Sequence, residues 1–139
     1  MKISAKTEYA CLALLQLAVE YESDLPVPIR IIAESNAIPT QFLVQILLQL
    51  KGAGYVTSTR GPSGGYRLAK PPSKITVSEI LTLTEGPNES HRTSVPGARE
   101  ILQKLWMEIE AVENQLLREQ NFADLATRST QISPEMYYI

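Results

Sequence analysis

The sequence predicts a mainly α-helical (α+β) fold that contains one small β-hairpin and one long helix near its C-terminal end. A helical pattern runs from Thr40 to Ala53, and two short strand patterns follow it around a glycine-rich turn in residues 54–69. An apolar repeat spaced by three or four residues marks the long helix, from about Ala98 to about Gln120. A chain of 139 residues that is 44% apolar can bury one core and leaves little room for a second.

The first third of the chain predicts two helices separated by a break at residues 24–28. Ser4 is a suitable cap for the first helix because its hydroxyl can accept a backbone N–H of the first turn. The second helix is expected from Ile29 to Ser35, before a turn at residues 36–39. The apolar face of the first helix is expected to include Tyr9, Leu12, Leu15, Ala18 and Val19.

The helix from Thr40 begins with small and amide-bearing side chains, and Pro39 is expected at its first helical position. Its core stripe is Leu43, Ile46, Leu47 and Leu50. Two helices joined by a tight turn form the helix-turn-helix pattern, in which the start of the second helix enters the DNA major groove. Thr40, Gln41 and Gln45 are therefore candidates for base contacts; an ordinary solvated helix face is the alternative.

The hairpin that follows this helix carries three glycines and a proline in its turn, with Arg60 and Gly61 at the tip. Helix followed by hairpin is the order of a winged helix. An exposed arginine at such a tip can enter a minor groove, where the negative potential attracts it. The predicted fold is therefore a winged helix-turn-helix with a two-stranded β-wing.

The formal charge of −2 is unevenly distributed along the chain. Between Ser35 and Ser78 there is no Asp or Glu, and the ten carboxylates after Pro71 outnumber the six basic residues there. An acid-free segment suits a surface that faces phosphates, whatever the net charge. The basic residues inside that segment are Lys51, Arg60, Arg67, Lys70 and Lys74.

The C-terminal half predicts a short helix, a loop and the long helix. A capping box, Thr76 to Glu79, opens a helix from Val77 to Glu85, and residues 86–97 are predicted to form a mobile loop. The seam of the long helix is Ile101, Leu105, Ile109, Val112 and Leu116. This stripe exceeds what one small core needs, so we expect dimerisation through it; packing back onto its own domain is the alternative.

The expected organisation is a DNA-binding domain over residues 1–85, a flexible loop over 86–97, and a dimerisation helix with its tail over 98–139, partly disordered from Ser129. The single cysteine, Cys11, excludes an internal disulfide, and no signal peptide or membrane span is predicted, so a cytoplasmic protein is expected. Gly61, Gly64 and Gly65 lack the Lys-Ser/Thr of a phosphate-binding loop. No catalytic constellation is recognisable. We predict neither an enzyme nor a metal site.

Several motifs resemble the IscR/NsrR/CymR-type winged-helix transcription regulators over about residues 1–120. The most specific is Arg60-Gly61-Pro62-Ser63-Gly64-Gly65-Tyr66-Arg67-Leu68; Met1-Lys2-Ile3-Ser4, residues 38–43 and Gly54-Tyr55-Val56 also match. The resemblance implies a homodimer that binds double-stranded DNA at an imperfect palindrome. It places recognition-helix contacts at Pro39, Gln41, Phe42 and Gln45, wing contacts at Arg60 and Gly61, and residues near the phosphate backbone at Lys2, Ser4 and Lys6.

The chain departs from its cluster-binding relatives at the sensor. Those relatives carry three cysteines before the long helix, whereas residues 86–104 here contain none and have residues such as Ser94 and Glu100 instead. Thiolates hold such clusters, so no cluster and no other cofactor is expected. Glu8, where some relatives supply a carboxylate ligand from the partner subunit, is expected to be solvated, as is the lone His91.

We therefore expect a DNA-binding transcription regulator, a repressor rather than an activator, without a cluster. A small ligand, a partner protein or the Cys11 thiol is hypothesised to set its DNA affinity. Cys11 lies on an apolar helix, where a buried inert thiol is the simpler expectation. The alternative class is an interaction module that works mainly through a partner protein.

Overall fold

The computed structural model describes residues 1–86 and 97–132. The predicted mainly helical winged helix-turn-helix is confirmed. The hairpin of β1 and β2 is the wing, and α5 is the predicted long helix. The elements are α1 (Ala5–Val19), α2 (Ile29–Asn36), α3 (Thr40–Gly52), β1 (Val56–Thr59), β2 (Gly65–Leu68), α4 (Val77–Glu85), α5 (Ala98–Glu119) and α6 (Phe122–Ile132), with short 3₁₀ turns at Tyr21–Ser23 and Pro72–Lys74.

Helix α1 lies at the centre of the subunit and packs against α2, α3, α4, α6 and β2. Its cap is as predicted, because the Ser4 Oγ accepts the Thr7 N–H at 3.2 Å. The predicted apolar face packs on the core, since Ala18 is buried and its other members are half-buried against the core, but it does not include the most buried positions. A helix surrounded on several sides is apolar around most of its circumference, so its periodicity does not mark one face. The most buried side chains are Ala10, Ala13, Leu14 and Leu17.

Helices α2 and α3 are bent by 119° across a three-residue turn. Ala37 adopts a left-handed conformation (φ 52°), and the Ile38 N–H donates to the Ala33 carbonyl at 3.0 Å, which closes α2. Pro39 is the N-cap of α3 rather than its first helical residue, since its carbonyl already accepts the Leu43 N–H at 3.1 Å. The predicted core stripe of α3 is confirmed by the burial of Leu43, Ile46, Leu47 and Leu50.

The wing is an antiparallel pair in which Val56 opposes Leu68 and Thr59 opposes Gly65. A third piece of backbone extends it, because Val27 and Tyr66 exchange two N–H···O bonds of 2.9 Å. A side chain at Gly65 would collide with the Val27 backbone, so only glycine allows this approach. The segment before α2 is thereby joined to the wing.

The last helix, α6, was not predicted, and it includes the first residues of the tail that was expected to be partly disordered from Ser129. It is helical to Ile132 and packs against α1 and the Pro72–Lys74 turn. The Phe122 N–H donates to the Ile75 carbonyl at 3.1 Å, and the Phe122 side chain is 1% exposed in the core. The segment after α5 therefore returns to the N-terminal core. The three-part domain division stays a prediction, and residues 87–96 of its loop and 133–139 of its tail lie outside the described residues.

Helix α4 begins with the predicted capping box, in which the Glu79 N–H donates to Thr76 Oγ1 at 3.2 Å and the Glu79 carboxylate accepts the Thr76 N–H at 2.8 Å. In the described ranges, no single helix is both long and apolar enough to cross a membrane; only the bent pair of α2 and α3 reaches that length and composition together.

Candidate nucleic-acid interface

The outward face of α3 carries the predicted base-contact side chains together. Pro39, Thr40, Gln41, Phe42 and Gln45 are all exposed, on the side of the helix away from its buried core stripe. Phe42 is the notable member because 51% of its surface is open to solvent although it is a large apolar residue. The fold therefore presents the first two turns of α3 to a partner.

The wing tip is held at a defined place relative to α3. Arg60 and Gly61 are exposed in the turn between the strands, and Gly61 has a left-handed φ of 100°. The Lys51 ammonium in the last turn of α3 donates to the Ser58 Oγ at 2.7 Å, which links this helix to β1. Helix and wing are therefore joined by a side-chain contact on the same exposed side of the subunit.

Besides Lys51, two further basic residues of the acid-free segment have structural partners. The Arg67 guanidinium donates to an Asp24 carboxylate oxygen at 2.6 Å and to the Asp24 carbonyl at 2.8 Å, so it braces the wing against the chain before α2. The Lys70 ammonium lies 4.5 Å from the centre of the Tyr55 ring, a cation–π contact. The sequence segment is basic, but part of its charge serves the fold.

The start of α1 is anchored by a polar cluster. The Ser4 N–H donates to a Glu85 carboxylate oxygen at 3.0 Å, and the fully buried Thr7 hydroxyl donates to the same oxygen at 2.5 Å. Hydrogen bonds from the Ser4 hydroxyl, the Thr7 hydroxyl and the Ser4 N–H lower the pKa of Glu85. The ammonium of Met1 lies 3.4 Å from the Glu113 carboxylate on α5. Ser4 is thus occupied as a cap, whereas Lys2 and Lys6 are exposed beside it.

One basic residue of this surface was not predicted from the sequence. Arg30, in the first turn of α2, lines a groove of about 450 Å³ together with Arg60 and the wing turn. Its guanidinium is exposed and pairs with Glu34 at 3.2 Å. Its position on α2 could have indicated a DNA contact, because the first helix of a helix-turn-helix crosses the DNA backbone.

The seam predicted for dimerisation is exposed along the whole of α5. No residue of this helix is buried within the subunit, and its inner side contacts α4. Leu102 and Trp106 widen the stripe. The exposed fractions of the five seam residues are 70% for Ile101, 43% for Leu105, 44% for Ile109, 62% for Val112 and 54% for Leu116.

Comparison with known proteins agrees with this geometry. A family model described as Rrf2, iron-dependent transcriptional regulator, matches residues 3–128. The chain belongs to the Rrf2 family. Like its relatives it is a DNA-binding transcription regulator.

Full-length Rrf2 relatives share both sequence and fold with this chain. It is 32% identical to the transcriptional regulator CymR of Bacillus subtilis, with 100% of both chains covered, and 31% identical to IscR of Cereibacter sphaeroides, covering 96% of this chain and 92% of that one. The structure of CymR, the global cysteine regulator of B. subtilis, superposes with a TM-score of 0.83 at 30% identity, covering 92% of this chain and 98% of the other.

The family description names iron, and the metal-binding side chains of the described residues bear on it. Within residues 1–86 and 97–132, no group of three His, Cys, Asp or Glu side chains is placed to hold a metal. Cys11 is partly buried on α1, and burial, together with the charge of Glu8, raises the pKa of its thiol to about 11. Glu100 is on α5, 3.5 Å from Lys104, and His91 and Ser94 lie outside the described residues.

We expect Cys11 to react slowly. With a pKa near 11, the thiolate fraction at pH 7.5 is roughly 100-fold below that of a thiol of ordinary pKa. Alkylation by iodoacetamide, followed by mass spectrometry, should be slower by about that factor than alkylation of the same protein unfolded in guanidinium chloride. It should accelerate as the pH rises towards 10. Rapid labelling of the folded protein at pH 7.5 would restore the thiol as a candidate sensor.

Proposed function

We propose that this Rrf2 protein is a homodimeric transcriptional repressor that binds an imperfect DNA palindrome and works without an iron–sulfur cluster. One observation carries the proposal: the apolar stripe of α5 is uncovered in a subunit that also exposes the first turns of α3 and the wing tip. A second copy related by two-fold symmetry would bury the stripe and present two recognition helices to two half-sites.

The cluster-free part of the proposal rests on the composition. Clusters of this kind need thiolates, and the chain has one cysteine, whose neutral thiol is favoured at physiological pH. We propose that a small ligand or a partner protein sets the DNA affinity instead. A repressor follows most simply, because a dimer seated across a promoter excludes other proteins from that DNA. We further propose that the protein acts in the cytoplasm and is not an enzyme.

The experiment that tests this function is a binding selection from genomic DNA fragments with the protein as purified. Light scattering, an absorption spectrum and metal analysis are recorded on the same sample. We expect a colourless, metal-free dimer that enriches an imperfect palindrome. A coloured sample would overturn the cluster-free assignment, and a monomer that enriches no DNA would favour a regulator that works through a partner protein.

Arg60→Ala should weaken binding to the enriched palindrome by about 1–3 kcal/mol and relax base preference under the wing, since an inserted guanidinium is lost. Fluorescence anisotropy with a labelled duplex measures both effects. Arg128→Ala, which removes the same charge from an exposed site on α6, is the matched control and should bind as the parent does. Parental affinity for Arg60→Ala would refute the wing assignment.

Lys6→Ala should weaken specific and non-specific duplexes alike, because a phosphate contact carries no base information. The slope of log affinity against log salt should become shallower by about one unit per subunit. Titrations at four salt concentrations measure this slope. An unchanged slope would place Lys6 away from the phosphates.

A further inference from the structure

The exposed face of α3 carries no charged side chain before the last turn of the helix. Lys51 is the single charged residue of α3, and its ammonium donates a hydrogen bond to Ser58 on the wing strand. The exposed apolar side chains of this face are Phe42, Val44 and Leu48, whose exposed fractions are 51%, 39% and 56%. The full set of exposed residues over the first nine positions is Thr40, Gln41, Phe42, Val44, Gln45 and Leu48.

These side chains differ in which base edges they can read. Guanine is read in the major groove mainly by Arg or Lys, and cytosine by Asp or Glu. Adenine is read by the amides of Gln or Asn, and the 5-methyl group of thymine by apolar side chains. The face therefore holds readers for adenine and thymine, and lacks the charged readers of guanine and cytosine.

Helical spacing brings the amide and apolar groups into one row. Gln41, Val44, Gln45 and Leu48 stand at i, i+3, i+4 and i+7, so they line the same outward side of α3. Phe42 lies beside this row and borders, with Gln45 and Lys6, a groove of about 570 Å³ between α3 and α1. Lys6 also lines this groove, so its positive charge lies where it can contact the phosphate next to the bases that α3 reads.

We infer that α3 reads A·T pairs, with separate thymine methyl groups packed against Phe42 on one side of the row and against Val44 on the other, and adenine edges bound by the amides of Gln41 and Gln45. This inference rests on the proposed function, since it assumes that α3 enters a major groove. It also accounts for the exposure of Phe42, because contact with a methyl group removes both apolar surfaces from water.

The test uses the full-length protein and the palindrome enriched above. Pairs at which Gln41→Ala or Gln45→Ala changes base preference define the positions under α3. Each thymine there is then replaced by deoxyuridine, which removes only the methyl group. At one or two positions we expect affinity to fall about fourfold, which corresponds to roughly 0.8 kcal/mol for one buried methyl-sized group.

Phe42 variants assign the contact to its side chain. Phe42→Ala should bind thymine and deoxyuridine duplexes equally at one of those positions, whereas Phe42→Leu, which keeps an apolar surface, should retain part of the preference. Phe42 is half exposed, so both variants are expected to fold; circular dichroism checks this.

The outcomes separate this inference from the proposed function. If no DNA is enriched, the proposed function fails and the inference with it. A palindrome with G·C pairs under α3, or one indifferent to deoxyuridine, overturns the inference and leaves the function standing. A deoxyuridine effect that persists in Phe42→Ala overturns the role of Phe42.

Discussion

Phe122→Ala should lower the free energy of unfolding by about 3–5 kcal/mol and the melting temperature by roughly 10–20 °C. The Phe122 ring is 1% exposed and sits at the first position of α6, which packs against α1. Its loss removes a large apolar side chain and leaves a cavity where α6 meets the core. Thermal and urea unfolding at a fixed protein concentration measure the change.

Ile132→Ala is the matched control for that substitution. It truncates an apolar side chain on the same helix that is 81% exposed, so a change within about 0.5 kcal/mol is expected. If Phe122→Ala were equally mild, α6 would not be docked in the core, and the tail would be separate from the DNA-binding domain.

Ile109→Glu should convert the proposed dimer into a monomer and weaken binding to the full palindrome by at least about 100-fold. Ile109 lies in the middle of the α5 stripe, and a symmetric interface would bury two carboxylates close together. Without the second subunit, the gain from engaging two linked half-sites is lost. Light scattering measures the mass, for which the monomer value is 15.4 kDa, and anisotropy measures the affinity.

Ala111→Glu is the control for charge. It adds the same carboxylate two residues further along α5, at an exposed site outside the stripe. We expect it to remain a dimer with near-parental affinity. Ile109→Glu that stayed dimeric would mean that subunits associate through another surface, and the role of the α5 stripe would be refuted.

The elements with strong local signals were predicted with nearly their observed limits. The capping box fixes the start of α4, because both of its hydrogen bonds form between Thr76 and Glu79, three residues apart. The wing was predicted equally well, since a glycine-rich turn between two strands of alternating apolar and polar residues allows few conformations. The exposure of Phe42 and Gln45 followed from the phase of the α3 core stripe.

Features that depend on distant parts of the chain were missed. The burial of Phe122 requires α6 to return to α1, more than 100 positions away, and its sequence carries no stronger signal than any short amphipathic helix. Arg67 reads as a free cation until the fold places Asp24 at 2.6 Å. The most buried positions of α1 were not singled out, because five elements cover this helix from several sides.

The sequence by itself determined the winged helix-turn-helix class, the order of its elements and the side chains that α3 and the wing turn expose. These follow from period, capping and turn chemistry, which act over a few residues. Only the tertiary structure decided that Ser4 is held by Glu85, that Lys51 ties α3 to the wing, and that α6 completes the core. Such contacts arise where the folded chain brings separate segments together, and no local pattern specifies which distant partner will satisfy a given polar or apolar group.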